Sequence, residues 1–513
     1  MAAEADICKP LPPGRLTLVT MSLALAVFMN VLDVSIANVS IPNIAGYLAV
    51  SSTQGTWIIT CFAAANAVAV PISGWLAKRV GEVRLFVICT LLFTLASFVC
   101  GLSFSFPMLL IARTFQGAVA GPMIPISQSL LLANYPPERR GFANGVWGMT
   151  AVVGPVAGPI LGGWITDNYH WSWIFYINIP VGILAALVTW PLLKDRETET
   201  ARPSIDTMGL ALLIVGVTAL QVMLDQGNDK AWFQSPYIIT FGAIATVALS
   251  FFVLWELTDD NPIVDLKLFK RRNFTVATIA VTLGFMAYFS GVVVLPLWLQ
   301  VEQGYNATWA GIATSSLGIM GIIFSPIIGR LADRFDVRIV VTVGMLTFSI
   351  LSFILGSFNT NVSFWQLFLT RLPWGIGLSC FFIPLITLSL SGLPSSMVAS
   401  ASGVFNFMRL IALSFGTSLS VTFWDHRASF HDHRLNESVT PYNAATQQWL
   451  AQAQDLGMTQ PQAHASLAGE ISNQAFMLSI NDLYWLAGWL FLGLTVLVWF
   501  AKPASRPAAA EAH

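Results

Sequence analysis

Charge is scarce in this sequence. Only 10% of its 513 residues are Asp, Glu, Lys or Arg, against roughly 25% in an ordinary soluble chain, so most of its surface must meet something other than water. No basic cluster exceeds Lys270-Arg271-Arg272, which argues against a nucleic-acid footprint. The five cysteines, Cys8, Cys61, Cys89, Cys100 and Cys380, form no Cys-x-x-Cys pair, and none lies in a long polar loop. No disulfide framework follows, and they read as small apolar side chains. No lysine follows a glycine, so a Gly-x-x-x-x-Gly-Lys phosphate loop is missing. His-Glu-x-x-His and Gly-x-Ser-x-Gly are missing as well. We therefore expect no cofactor, no metal and no enzyme. An ion gradient remains as a source of work, at ~2.3 kcal/mol per charge per 100 mV.

Apolar residues make up 55% of the chain. Crossing a ~30 Å hydrocarbon core takes about 20 of them in a row, and about fourteen runs qualify. The first, Leu16 to Ile41, is too long for a signal h-region and is followed by no Ala-x-Ala site, so it reads as an uncleaved span. The runs near residues 217 and 247 are compatible with either two spans or a re-entrant hairpin. The lipid bilayer is thus the first partner predicted, and the fold class is all-α membrane protein.

Fourteen spans put both termini on one side. On that side fall nineteen basic residues, from Lys9 and Arg15 to Lys502 and Arg506. The other side holds Lys230, Arg427 and Arg434, while Arg113, Arg371 and Arg409 lie within spans; together these are all 25 Lys and Arg. Such a bias predicts cytoplasmic N- and C-termini.

The chain repeats itself. Gly74-Trp75-Leu76-Ala77-Lys78-Arg79-Val80-Gly81 follows the second run, and Gly329-Arg330-Leu331-Ala332-Asp333-Arg334 follows the tenth. Arg113-x-x-x-Gly117 has its echo in Arg371-x-x-x-Gly375. Two six-helix halves are expected, at 16–194 and 274–500, with an extra helix pair at 207–258 between them and tails at 1–15 and 501–513. Parallel halves about a central site are a transporter architecture.

Here the sequence resembles the major facilitator superfamily, and within it the fourteen-span drug:proton antiporters of the EmrB/QacA branch. The resemblance rests on Leu32-Asp33-Val34-Ser35-Ile36-Ala37-Asn38-Val39-Ser40-Ile41-Pro42 in the first span and on the Gly74–Gly81 loop. It rests also on Leu109 to Gly117, on Gly148 to Gly163, and on Trp171 to Pro180 in the sixth span. It covers about residues 15 to 502. It departs from the family in the first loop, where Lys78 and Glu82 swap the usual charges, and in the second, where Asp336 replaces a glycine.

Asp33 is the sharpest single signal. An ionisable group at that depth costs roughly 2.5–3.5 kcal/mol on insertion scales, which suits a proton acceptor facing a central cavity; a structural carboxylate bonded to Asn38 or to a neighbouring helix is the alternative. Arg113 is expected to compete with the proton for Asp33, with a clamp on backbone carbonyls as the alternative, and Gln116 shares its helix face. Asn38, Gln116, Arg371, Asn406 and Arg409 are further candidates for the cavity, although Arg371 and Arg409 read more readily as structural. Trp147, Tyr288, Phe289 and Phe381 are expected as cavity walls, among 35 Phe, 15 Met and 18 Trp. Asp225, Glu256, Glu302 and Asp482 read as boundary acids.

Gly154, Gly158 and Gly162 recur every four residues, which makes a stripe for close helix approach, while Pro155 and Pro159 remove backbone donors. By resemblance this pattern, with Gly148 and Gly163, marks antiport and predicts a bendable gate. Gly74, Arg79, Gly81, Gly329, Asp333 and Arg334 are expected as hinge-loop residues. The polar stretch 425–476 is expected as a long periplasmic loop containing a helix after Thr459-Gln460-Pro461. His426, His431 and His433 within it are a weak metal signal.

The resemblance implies a proton-coupled exporter of hydrophobic or amphiphilic small molecules in the inner membrane. It also implies assembly with an EmrA-like periplasmic adaptor and a TolC-like outer-membrane channel. Two other readings stay open: a proton-coupled importer of a metabolite, which the Gly-Pro pattern opposes, and a membrane receptor or enzyme.

Overall fold

A computed structural model describes residues 11–201, 206–259 and 262–503. The expected tails therefore lie largely outside the described residues. Helices dominate because lipid offers the backbone no hydrogen bonds, so each span must satisfy its own. Fourteen helices are long and apolar enough to cross a membrane. They are α1 (Pro13–Tyr47), α2 (Trp57–Val80), α3 (Glu82–Gly101), α4 (Phe106–Asn134), α5 (Arg140–Asn168), α6 (Trp173–Arg196), α7 (Thr207–Gln226), α8 (Pro236–Thr258), α9 (Arg272–Val301), α10 (Ala307–Arg334), α11 (Val337–Leu355), α12 (Phe364–Ser389), α13 (Ser395–Ser438) and α14 (Gln460–Val498). The runs near 217 and 247 are full-length helices of 20 and 23 residues, not half-spans.

The two sets of six helices pack alike. α1 lies on α5 and α6, α2 on α4, and α3 on α4 and α6. Correspondingly, α9 lies on α13 and α14, α10 on α12, and α11 on α12 and α14. The sets meet along two seams, α5 against α10 and α2 against α13, with α12 on α5 and α4 on α13 beside them. The extra helix α7 packs on α2 and α13 and covers one seam; α8 packs on α7 and is mostly exposed. Grooves of about 560 and 540 Å³ run along α8, lined by residues such as Leu249, Val253 and Phe233. Their lining is apolar and suits lipid chains.

The stretch 425–476 is not a loop. α13 continues unbroken for 44 residues and α14 begins at Gln460, with a short helix, Ala444–Asp455, between them. At 1.5 Å per residue α13 is about 66 Å long, roughly twice the hydrocarbon thickness. Asn443 caps the short helix, and Thr459 with Gln462 forms a capping box at the start of α14. Polar composition misleads here: Ala, Gln and Glu are good helix formers, and low hydropathy reports only that this part of the helix has left the lipid.

Candidate functional site

Four helices of the first half converge on Asp33. Arg113 Nη1 lies 2.5 Å from Asp33 Oδ2, and both side chains are 0% exposed. Gln116 Nε2 and Asn178 Nδ2 donate to Asp33 Oδ1 at 3.1 and 2.8 Å, and both amides also donate to Ser97 Oγ. Arg113 donates from Nη1 to Gln116 Oε1 and from Nε to the Ile58 carbonyl, and its guanidinium sits 4.3 Å from the Phe62 ring centre. Its Nη2 has no hydrogen-bond partner among the described residues. The carboxylate thus takes one charged and two neutral donors in a dry setting, where charge-assisted bonds are strongest.

This arrangement corrects three expectations. Asp33 does not face an open cavity, because helices close around it. Asn38 is exposed and does not bond to Asp33; the amide that does so is Asn178, 145 residues away. Gln116 is fully buried within the cluster and is not a cavity wall.

The Gly-Pro stripe supports the same place. A Cβ on Gly154 would stand 2.5 Å from Val31 Cγ1, one on Gly158 would meet Ser35, and one on Gly162 would come within 3.0 Å of Ile36. The stripe therefore seats α5 on the α1 turn that carries Asp33, inside one half. It does not face the other half, as a gate between halves would. Pro155 is half-buried, Gly163 faces open space, and the side chain of Pro159 lies outside the described residues.

The second half has the same junction without the acid. Arg371 is 0% exposed, and its Nη2 donates to the Gly291 carbonyl at 2.6 Å and to Tyr484 Oη at 3.3 Å. The interval from Gly291 to Arg371 equals that from Asp33 to Arg113. A glycine carbonyl therefore stands where the first half has a carboxylate. Trp374 lies under this guanidinium at 4.7 Å.

At the end of the bundle that carries the termini, the halves are locked together. Asp333 Oδ1 and Oδ2 accept the first backbone N–H groups of α5, from Gly141 at 2.7 Å and Phe142 at 3.0 Å. A carboxylate there complements the helix N-terminus. Gly329 lies against Gly141, and Gly74 against Ser400, where a Cβ would come within 2.7 Å of backbone. These glycines serve packing between halves more than bending. In the first loop Lys78 and Arg79 are exposed, Arg79 rests on Trp75, and Glu82 accepts from Ser129. Gly81, at φ +94°, lets the chain turn so that Glu197 caps α3 at Val83 and Arg84. Arg334 ends α10 beside this seam.

Just inside this end, a polar chain crosses the halves. Ser402 donates to Gln128 Oε1, Gln128 Nε2 donates to Asn144 Oδ1, and Asn144 Nδ2 donates to Thr387 Oγ1 at 3.2 Å. Asn406 donates to Ser402. Deeper in, Trp147 is buried, bonds Ser127 and lies 6.5 Å from Phe382, while Gly148 abuts Ile383. Phe289 is half-buried and stacks on Phe285. Tyr288 and Phe381 are not walls of a cavity. Both are buried in the core of the second half against Phe348, and it is Phe382, 100° round the helix from Phe381, that reaches the seam.

Of the acids read as boundary residues, Asp482 lies within α14 and holds Arg427 and His431 of α13, each through Oδ2. Asp482 thus gives His431 a hydrogen-bond partner within the bundle's extension. Ser97, Gln128, Asn144, Asn178, Phe285, Thr387 and Ser402 were missed by sequence reasoning. For the six polar residues among them a signal existed, since polar groups inside apolar runs are rare and need partners.

The family model of the Major Facilitator Superfamily matches residues 23–417. The multidrug export protein EmrB of Haemophilus influenzae is 49% identical over 98% of this chain and 99% of its own length. The fatty acid resistance protein FarB of Neisseria gonorrhoeae is 46% identical over 96% of this chain and 97% of its own. Among solved structures, the proton:xylose symporter XylE superposes with a TM-score of 0.58 at 15% identity, over 95% of each chain, a likeness of fold. With the paired helix packing and the buried arginine junctions, these matches place the chain in the major facilitator superfamily, in the EmrB-type group of multi-pass membrane transporters.

Proposed function

We infer that the protein is a proton-driven antiporter exporting hydrophobic or amphiphilic molecules across the inner membrane, its termini in the cytoplasm. The observation carrying this reading is the asymmetry of the two arginine junctions. If Asp33 served only to hold Arg113, a backbone carbonyl would do, as it does for Arg371. A buried carboxylate retained at one junction alone is a group that can take and release a proton. Proton and guanidinium then compete for the same oxygen. In the state described here the pair is closed and the cytoplasmic end is locked. Protonation neutralises Asp33, frees Arg113 and loosens the α1 turn against which α5 is seated. Movement of α5 pulls on Asp333 and on the Gln128–Asn144 chain, and so opens the cytoplasmic seam to cargo.

The α13–α14 extension projects on the periplasmic side, with Tyr442 and Leu456 exposed at 93% and 80%. Its length, and similarity to the EmrB proteins, support a docking role toward an EmrA-like adaptor and through it a TolC-like channel. The test of the main reading uses everted membrane vesicles with an imposed pH gradient. Accumulation of a fluorescent amphiphile should follow the gradient, collapse when it is dissipated, and be lost in Asp33→Asn. Accumulation unaffected by the gradient would refute proton coupling.

A further inference from the structure

Three arginines lie inside the spans, and two are tied by hydrogen bonds even though each keeps an unpaired N–H among the described residues: Arg113 to Asp33, and Arg371 through Nη2 alone to the Gly291 carbonyl and Tyr484. Arg409 has neither. Its Nε has no hydrogen-bond partner, and no carboxylate pairs with it among the described residues. Its guanidinium carbon rests instead on two rings, 5.2 Å from the centre of Phe382 on α12 and 5.8 Å from that of Phe285 on α9.

Its place in the fold is informative. Ser402, Asn406 and Arg409 fall at i, i+4 and i+7 on α13 and so share one face. Ser402 on that face reaches Gln128 in the other half, so the face points across the seam. Arg409 stands two turns deeper than Ser402, about 21 Å along the helix from Ser395, well inside the apolar part of α13. Unlike the other two arginines it is only half-buried. Phe285, Phe289, Phe382 and Trp147 form a continuous aromatic shelf beside it, with ring centres 5.1 to 6.5 Å apart from one ring to the next; with the halves closed all but Phe289 are buried, so the shelf is laid bare only as the seam parts.

A cation at this depth is costly without an anion. Contact with aromatic faces recovers about 0.5–2 kcal/mol but leaves the charge and the donors unmet. One class of ligand meets both needs: a molecule with a single compact anionic head, such as a carboxylate, and a flat or flexible apolar body. We propose that Arg409 is the anion seat of the transport path and sets its preference for anionic over neutral and cationic amphiphiles. The head accepts hydrogen bonds from the guanidinium while the body lies on the Phe285–Phe382 shelf. This inference rests on the transport reading but concerns recognition, which is measurable without transport.

The experiment measures binding by quenching of intrinsic tryptophan fluorescence in detergent-solubilised full-length protein. The probes share one chain length: dodecanoate, dodecanol and dodecyltrimethylammonium. Wild-type protein should bind dodecanoate most tightly. Arg409→Gln should weaken dodecanoate by about 10- to 100-fold, the range for a hydrogen bond to a charged group, and leave dodecanol unchanged. Arg409→Lys keeps the charge and should retain part of the preference, while Phe382→Leu should weaken acid and alcohol alike. Equal dodecanoate affinity in wild type and in folded Arg409→Gln would overturn the proposal. Loss of the acid preference in Arg409→Gln, together with wild-type protein that moves no probe under a pH gradient, would uphold the anion seat and sink the antiport reading instead.

Discussion

Removing one partner of the Asp33–Arg113 pair leaves the other stranded in a dry bundle. In Asp33→Asn the amide can turn its oxygen toward Arg113 or toward Gln116 and Asn178, never toward all three donors. Whichever way it turns, its NH2 faces a donor, and the guanidinium loses its counter-charge. Breaking a buried pair in this manner costs about 3–5 kcal/mol. Two unit charges about 4 Å apart at an effective dielectric of 20 attract by about 4 kcal/mol, which is consistent. Arg113→Gln should be costly for the same reason. The double variant Asp33→Asn/Arg113→Gln removes both charges and leaves amides that can bond one another, so its loss should fall short of the summed single losses by about 3 kcal/mol. The assay is denaturant unfolding of purified protein in detergent, read as a double-mutant cycle. Losses that add to within about 0.5 kcal/mol would refute the claim that these two groups hold one another.

The other predictions concern the frame around that pair. Gly158→Val drives a side chain into Ser35; overpacking of this kind costs about 1–3 kcal/mol, and a lowered unfolding midpoint with loss of vesicle uptake is expected, whereas Gly163→Ala, in open space, should leave both unchanged. Asp333→Ala removes two backbone acceptors from the first turn of α5, worth about 1–2 kcal/mol for a lost cap, so hydrogen exchange of amides 141–147 should speed up about tenfold; unchanged protection would show that the lock is unimportant. Replacing residues 440–458 with a Gly-Ser linker should abolish binding of a purified EmrA-like adaptor while leaving uptake in vesicles intact, and retained binding would remove the extension from that role.

Much of this was legible in the sequence. The length of the apolar runs fixed fourteen spans, because the thickness of the bilayer sets that length and nothing else in the chain competes with it. The pairing of Asp33 with Arg113 was readable because two charges within lipid must find each other or water. The pairing of Asn178 with Asp33, 145 residues away, was not readable, since a neutral amide, unlike a buried charge, does not demand one particular partner. The face of a helix is equally hard to choose: Phe381 and Phe382 are neighbours in sequence, yet one fills a core and the other reaches the seam. The extension was misread for a different reason. Helix capping at Thr459 gave its second arm a local signal, but the unbroken passage of α13 from lipid to water, through Asp425 and beyond, changes hydropathy without changing backbone conformation.

The central claim is that Asp33 binds a proton when cargo is absent and gives it up when cargo binds. It is tested most directly by adding dodecanoate to purified protein in weakly buffered detergent solution at neutral pH and reading proton release with a pH-sensitive dye. The account predicts release that saturates with the ligand at up to about one proton per protein, and none from Asp33→Asn that still binds dodecanoate. Equal release from the wild type and from that variant would contradict it.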